Sequence, residues 1–290
     1  MKALTRLSSQ YSWILAALML LASACGTSAS GRSNSARPSD VVLVERAAWA
    51  EVFESYDATG TFAMQRLNSD KVLVHDPDRA RAQFLPASTF KIVSSLIALE
   101  TGVVADVEEF VQWDGVERPI EAWNRDHSLR TGIEVSAVWM YQHLARDIGE
   151  DRMSSLVAEA NYGNTDIGGL IDEFWLNGDL RISALEQLDM LTDLMTDKLP
   201  FDHAHQAAVR DILVRESDTG SIWAHKTGTA LGPNPVLGWL VGYTEFDGAT
   251  WVFAMNIDLG DSVELYTQID PQIRQKLANE ILRGEGALRR

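Results

Sequence analysis

The stretch that decides the fold runs from Pro86 to Lys91 and reads PASTFK. Apolar residues follow it at helical spacing: Ile92, Val93, Leu96, Ile97 and Leu99. They cover much of a helix surface, and Pro86 favours a defined helix entry just ahead of Ser88. We therefore predict that Ser88 begins a buried helix.

Ser88 and Lys91 form an S-x-x-K pair. Residues three apart on a helix share one face, with Cβ atoms about 5–6 Å apart, so the amine can reach the hydroxyl. A serine hydroxyl needs an adjacent base, but lysine at its usual pKa of about 10.4 is a cation that cannot accept a proton. Apolar neighbours Phe84, Phe90 and Ile92 would lower that pKa. The pair thus predicts an activated nucleophile.

An S-x-x-K pair alone is weak evidence, because serine and lysine are common at exposed helix starts. The chain has only six lysines, however, and a second one opens Lys226-Thr227-Gly228 on a predicted strand. Ser136, in Ser136-Ala-Val138, lies between the two motifs and is a candidate proton relay. Its alternative interpretation is an ordinary helix residue.

Hydrophobic periodicity predicts strands towards both ends of the chain and helices in the middle. The predicted elements are a helix at 46–55, a hairpin of strands 60–64 and 72–75, a mainly helical stretch at about 104–216, strands 221–226, 236–244 and 250–257, and a helix after Pro271. This order predicts an α/β (α+β) fold: an antiparallel sheet flanked by helices, with an all-helical lobe inserted in the sheet-containing lobe.

The N-terminus has the three parts of an export signal. Lys2 and Arg6 precede an apolar run from Trp13 to Ala22, and small residues follow. We predict a signal peptide at 1–24, a Ser- and Gly-rich tether at 25–40 and the catalytic domain at 41–290. The only cysteine, Cys25, lies at the cleavage junction, so it is a candidate lipidation site or simply the mature N-terminus. An exported protein of the periplasm or cell envelope is expected.

Composition excludes some partners. The 290 residues are 46% apolar and carry a formal net charge of −16, with no cluster of basic residues. Nucleic acid and anionic lipid would be repelled, so the membrane is a partner only through a lipid anchor at Cys25. The pair His203 and His205 lacks a third ligand at recognisable spacing, so no metal is predicted and the two are interpreted as solvated loop histidines. Nothing in the sequence defines an oligomeric state.

Five ordered motifs together resemble the class D (oxacillinase-type) serine β-lactamases over nearly the whole mature chain. They are Pro86–Lys91, Ser136–Val138, Tyr162–Asn164, Phe174–Leu176 and Lys226–Gly228, with further likeness at Trp123–His127 and Ile182–Gln187. The S-x-V motif, in place of the S-D-N of related families, points to class D. The resemblance implies a serine β-lactamase and penicillin-binding transpeptidase-like fold.

The resemblance also implies a role for each site residue. Ser88 is the nucleophile; Lys91, carboxylated by CO2 or bicarbonate, is the general base in acylation and deacylation; Ser136 and Lys226 complete the catalytic set. Trp175 donates its indole N–H to the carbamate, and Val138 and Leu176 flank it. Tyr162 belongs to the site wall.

The substrate site follows from the same resemblance. A small-molecule β-lactam faces Thr227, Gly228 and Thr229, and the oxyanion-hole N–H groups come from Ser88 and Thr229. Arg274 binds the substrate carboxylate or is a solvated helix arginine. No other cofactor is implied.

Two alternatives retain the S-x-x-K interpretation. A penicillin-binding D,D-peptidase would form the same acyl-enzyme on a peptidoglycan peptide, but Trp175 and the S-x-V motif argue against it. A non-hydrolysing β-lactam sensor domain would remain acylated, but such sensors follow several membrane helices. The absence of a G-x-S-x-G motif and of nucleotide-binding motifs argues against other enzyme classes.

Overall fold

Seven strands form one sheet in the computed structural model, which describes residues 41–218, 220–232, 234–266 and 268–289. The strands are β1 Val42–Glu45, β2 Gly60–Arg66, β3 Lys71–His75, β4 Val214–Asp218, β5 Ser221–Ala230, β6 Leu237–Phe246 and β7 Ala249–Asp258. The predicted signal peptide at 1–24, the tether at 25–40 and Cys25 lie outside the described residues.

The strands lie in the order β1-β3-β2-β7-β6-β5-β4, and all neighbours are antiparallel except β1 and β3. The predicted antiparallel sheet is therefore confirmed apart from its first edge. Neither edge strand was predicted from the sequence. The strand β4 begins at Val214, inside the stretch predicted to be mainly helical. Edge strands are short and often charged, so neither hydrophobic alternation nor β propensity identifies them.

Most of the described helices lie between β3 and β4. The helices are α1 Ala48–Ser55, α2 Pro77–Arg81, α3 Lys91–Glu100, α4 Leu129–Glu134, α5 Val138–Ile148, α6 Glu150–Glu159, α7 Ala184–Met195, α8 His203–Ile212, α9 Val263–Tyr266 and α10 Ile273–Gly284. The predicted middle helices are present, as is the one after Pro271. The stretch 101–128 is mostly irregular instead, with only a 3₁₀ turn at Glu121–Trp123. The bounds of a separate helical lobe at 104–216 stay a prediction.

Side-chain caps define several helix starts in this region. Ser128 caps α4 and Ser183 caps α7, each in a capping box with the residue three positions on, Thr131 and Glu186. Asp202 caps α8. Because such caps satisfy otherwise unpaired backbone N–H groups, they determine where the connecting loops meet the helices.

Two apolar clusters lie against the sheet. One joins α1 and α10 to β2 and β7 through residues such as Trp49, Phe253 and Leu277. The other unites the helical segment with the sheet around α3. All but the last residue of α3 are buried, which is the pattern of a helix enclosed by other elements. The N-terminal end of this helix is thereby held between the helices and β5, where the Ser88 turn packs on the strand.

Candidate active site

Ser88 and Lys91 are joined by a hydrogen bond at the start of α3. Ser88 lies in a 3₁₀ turn, Ala87–Phe90, and Lys91 is the first residue of the α-helix. With about three residues per turn, a 3₁₀ turn places side chains i and i+3 directly above each other. Lys91 Nζ lies 2.7 Å from Ser88 Oγ. The predicted pairing is confirmed, although the helix begins as a 3₁₀ turn.

Lys91 is completely buried. Burial lowers the pKa of its amine to about 7, because the low-dielectric interior disfavours the charged form. The Nζ atom lies 5.3 Å from the centre of the Tyr141 ring. The apolar neighbours of Lys91 in the sequence predicted this lowered pKa, whereas no motif pointed to Tyr141. A large fraction of the amine is therefore neutral at physiological pH and able to accept a proton.

Ser136 connects the two lysines of the site. It lies between α4 and α5, and its Oγ is 3.4 Å from Lys91 Nζ and 3.1 Å from Lys226 Nζ. Its backbone φ of 57° is left-handed, which is uncommon for a residue other than glycine. Ser136 is thus not an ordinary helix residue but a hydroxyl placed between two amines.

Lys226 is the second buried amine, on β5. Its Nζ also donates to the Thr227 carbonyl, 2.8 Å away. Burial is the main cause that lowers the pKa of Lys226, and the charge of Lys91 is the next. Among the described residues, neither amine is paired with a carboxylate. A site with several hydrogen-bond donors, and without a carboxylate to pair a protonated amine, is suited to an anion.

Gly228 brings β5 against the nucleophile turn. A Cβ atom at this position would lie 3.0 Å from the Pro86 carbonyl oxygen and 3.1 Å from Thr89 Cγ2. Any side chain would push the strand away from Ser88. This is the packing reason for glycine in the Lys226–Gly228 motif.

Arg274 extends from α10 to the end of the same strand. Its Nη1 donates to the Gly228 carbonyl at 2.7 Å and to Thr229 Oγ1 at 3.0 Å. The side chain is buried. The alternative of a solvated helix arginine is therefore wrong, because α10 packs beside β6 and its Arg274 side chain reaches over to β5. Thr227 and Thr229 are partly exposed beside it.

Trp175 has a buried indole N–H without a hydrogen-bond partner among the described residues. Its ring stacks on Phe90, the neighbour of Lys91, with 5.7 Å between ring centroids. A buried indole N–H normally finds a partner, so this one is open to an acceptor. Leu176 follows it and Val138 starts α5, and both are partly buried.

Tyr162 supports the site from behind. Its hydroxyl accepts a hydrogen bond from Gln187 Nε2 at 3.2 Å, and that nitrogen also donates to Thr89 Oγ1 at 2.9 Å. Burial raises the pKa of Tyr162, so it stays protonated. Its ring meets Phe90 edge-on. Gln187, whose role sequence analysis missed, thus ties the α7 helix to the turn that bears Ser88.

His203 and His205 were predicted to lie in a loop, but the structure places both in the first turn of α8. His205 Nδ1 lies 2.9 Å from Glu100 Oε2. No group of three or more potential metal ligands occurs in the part of the chain that the structure describes.

None of the described helices combines the length and the apolar character that crossing a bilayer requires.

Comparison with known proteins identifies the family. Residues 55–283 match the family model for the penicillin binding protein transpeptidase domain. Beta-lactamase OXA-48 from Klebsiella pneumoniae is 40% identical over 241 residues, which cover 83% of this chain and 89% of that protein. Beta-lactamase OXA-10 from Pseudomonas aeruginosa is 36% identical, covering 85% of this chain and 91% of that protein. The chain belongs to the class D serine β-lactamases.

Solved structures of class D β-lactamases share the fold. FUS-1 (OXA-85) from Fusobacterium nucleatum superposes with a TM-score of 0.79 at 37% identity, covering 85% of this chain and all of that one. The class D enzyme YbXI from Nostoc superposes with a TM-score of 0.77 at 36% identity, covering 83% of this chain and 99% of that one. The expected family and fold are both confirmed.

Proposed function

We propose that this class D β-lactamase opens the β-lactam amide of penicillin-type antibiotics through an acyl-enzyme on Ser88. The 2.7 Å hydrogen bond between Ser88 Oγ and a Lys91 amine of lowered pKa supports this assignment most directly. Ser88 Oγ loses its proton and attacks the lactam carbonyl carbon, and the C–N bond breaks as the ring nitrogen takes up a proton. Water then attacks the ester and releases the ring-opened acid.

Carboxylation by CO2 or bicarbonate is proposed at Lys91. Class D enzymes use a carboxylated lysine, and the resulting carbamate is an anionic base available to both half-reactions. Three features of this site favour it: an amine with a pKa of about 7, no paired carboxylate among the described residues, and the unpartnered Trp175 N–H. Val138 and Leu176 would supply apolar flanks that restrict water.

Ser136 and Lys226 are proposed to return the proton to the ring nitrogen. The Ser136 hydroxyl lies within hydrogen-bond reach of Lys91 and Lys226, so it can pass a proton from the base side of the site to the cleft. Lys226, buried and 3.1 Å away, keeps that hydroxyl oriented. Proton transfer by positioned groups of this kind typically contributes about 10²–10⁴-fold to a rate.

Substrate binding is assigned to the outer end of β5. Thr227, Gly228 and Thr229 would line the cleft, and Arg274 would hold the substrate carboxylate beside Thr229, where a guanidinium offers a planar fork of donors. The backbone N–H groups of Ser88 and Thr229 would stabilise the tetrahedral oxyanion, each donor contributing about 3 kcal/mol.

Export to the periplasm or cell envelope, and a role in antibiotic resistance, complete the proposal. They rest on the signal-like segment 1–24 and on Cys25, a candidate lipid attachment site. Incorporation of labelled palmitate into the wild-type protein but not into Cys25→Ala would establish the lipid anchor. Equal labelling of both, or of neither, would exclude it.

One assay tests the catalytic proposal. Purified protein is mixed with a chromogenic cephalosporin and with a penicillin, with and without bicarbonate, and followed by absorbance and intact mass. Many turnovers and a transient adduct on Ser88 are expected. One equivalent of stable adduct would instead define a sensor, and cleavage of a D-Ala-D-Ala peptide would define a peptidase. An adduct on another residue would overturn the site.

A further inference from the structure

Both catalytic serines are held by strained backbone. Ala87, directly before Ser88, has a φ of 48°, and Ser136 itself has a φ of 57°. Residues other than glycine rarely adopt left-handed conformations, and such strain persists only where the surrounding structure enforces it. Something must therefore hold each of these two turns in place.

We propose that Trp123 and Trp239 are positioning residues that hold Ser136 and Ser88 for the reaction. Each indole N–H binds a carbonyl oxygen just upstream of a left-handed residue. Neither tryptophan is placed in the set of groups that reacts. The proposal rests on the function assigned above to Ser88 and Ser136.

Trp239 fastens the nucleophile turn to the sheet. Its indole N–H donates to the Leu85 carbonyl at 2.9 Å, two residues before Ala87. Trp239 is fully buried on β6, where it pairs with Gly228 across the strands. Because Gly228 has no side chain, the nucleophile turn can approach β5. Trp239, the cross-strand partner of Gly228, then binds that turn. The hydrogen bond thus joins residues 154 positions apart.

Trp123 fastens the turn that bears Ser136. Its indole N–H donates to the Val135 carbonyl at 2.9 Å, immediately before Ser136. The backbone of Trp123 is itself secured, since Trp139 Nε1 donates to its carbonyl at 2.8 Å. The loop that precedes α4 therefore controls the peptide plane that leads into Ser136.

The kinetic consequence follows from the distances in the site. Proton transfer is efficient at heavy-atom separations of about 2.6–3.2 Å, and an error of about 1 Å in position can cost about 100-fold in rate. The Ser88–Lys91 distance of 2.7 Å lies within that range, and the Lys91–Ser136 distance of 3.4 Å lies just above it. Relaxation of either turn would lengthen these separations and leave the substrate-binding end of β5 unchanged. Acylation should slow while noncovalent binding stays the same.

The test compares three tryptophan-to-phenylalanine variants of the full-length enzyme. Trp223→Phe is the matched control, because Trp223 is also buried in the sheet but its indole N–H has no partner among the described residues. Single-turnover acylation by a penicillin is measured together with the dissociation constant of the initial complex. Trp123→Phe and Trp239→Phe should each acylate at least tenfold more slowly than Trp223→Phe, with the dissociation constant changed less than threefold. Equal acylation rates in all three would overturn the proposal.

A rescue experiment separates positioning from general packing. Glycine adopts left-handed φ values freely, so Ala87→Gly should restore part of the acylation rate lost in Trp239→Phe. No restoration would contradict a role in holding this turn. If Trp239→Phe fails to fold, 3-benzothienylalanine at position 239 keeps the ring shape without the N–H. Slower acylation then supports the proposal, and an unchanged rate overturns it.

Peptide mapping of the adduct distinguishes this inference from the proposed function. If the wild-type enzyme is acylated at a residue other than Ser88, the proposed function fails. If Ser88 is acylated and the variants differ no more than Trp223→Phe, only the positioning roles fail.

Discussion

Lys91 and Lys226 share one hydroxyl: their Nζ atoms lie 3.4 and 3.1 Å from Ser136 Oγ. Both amines are buried, and burial lowers the pKa of each. Two ammonium groups so placed would repel each other and donate to the same oxygen. The arrangement is favourable when Lys91 is neutral or carboxylated, and this links the electrostatics of the site to its proposed chemistry.

Lys91→Ala should abolish turnover and leave the protein folded. The base is lost, so kcat should fall by about 10³-fold or more. Initial rates with a chromogenic cephalosporin measure this, and near-UV circular dichroism confirms the fold. Lys71→Ala, at an exposed lysine of β3, is the control and should retain wild-type activity. A Lys91→Ala enzyme within tenfold of wild type would refute the role of this lysine.

Activity should fall reversibly as the pH drops through about 7. The pKa of Lys91 is lowered to about 7, so its amine takes up a proton below that pH. CO2 adds only to the neutral amine, and acid therefore favours loss of the carbamate. Turnover measured from pH 8 to pH 5, then after return to pH 8 with and without bicarbonate, tests this. Failure of bicarbonate to restore any activity would count against carboxylation.

Trp175→Phe should raise the bicarbonate concentration needed for half-maximal activity about tenfold or more. Phenylalanine keeps an aromatic ring against Phe90 but removes the N–H, and a hydrogen bond to a charged group contributes about 1.5–3 kcal/mol. Bicarbonate titrations of activity give the comparison, with Trp223→Phe as the control. The same half-maximal bicarbonate concentration in the wild type, Trp175→Phe and Trp223→Phe would show that the Trp175 N–H does not bind the carbamate.

Gly228→Ala should reduce kcat/KM about tenfold. The new methyl group would lie 3.0 Å from the Pro86 carbonyl oxygen, so β5 and the nucleophile turn must separate. Overpacking of this kind costs about 1–3 kcal/mol of stability, which thermal unfolding measures. Gly232→Ala is the control, since no described residue other than its chain neighbours has an atom within 4 Å of its Cβ position. Equal effects of the two substitutions would exclude this close approach.

Arg274→Gln should raise KM for carboxylate-bearing β-lactams by about 10–100-fold, the value of one hydrogen bond to a charged group. Because kcat depends on Ser88 and Lys91, it should change much less. Steady-state kinetics separates the two constants. Arg283→Gln, at an exposed arginine of the same helix, should leave KM unchanged. Similar KM values for the two variants would show that Arg274 does not bind the substrate carboxylate.

Local sequence predicted a large part of the fold. The strands β6 and β7 and the helix after Pro271 all follow from short-range periodicity. The edge strands β1 and β4 do not, because their pairing depends on which strand lies beside them. The stretch 101–128 is likewise irregular, and part of its backbone pairs across the stretch, as Val111 does with His127, instead of forming helical hydrogen bonds.

The sequence by itself determined the Ser88 and Lys91 pair, since a separation of three residues places two side chains together in any helical turn. Only the tertiary structure decided that Ser136 meets both lysines, that Arg274 binds the end of β5 and that Trp239 holds the nucleophile turn. These contacts join residues 45 to 154 positions apart. The physical reason is that the register of the sheet and the packing of helices against it set such distances, and neither is encoded in any short stretch of chain.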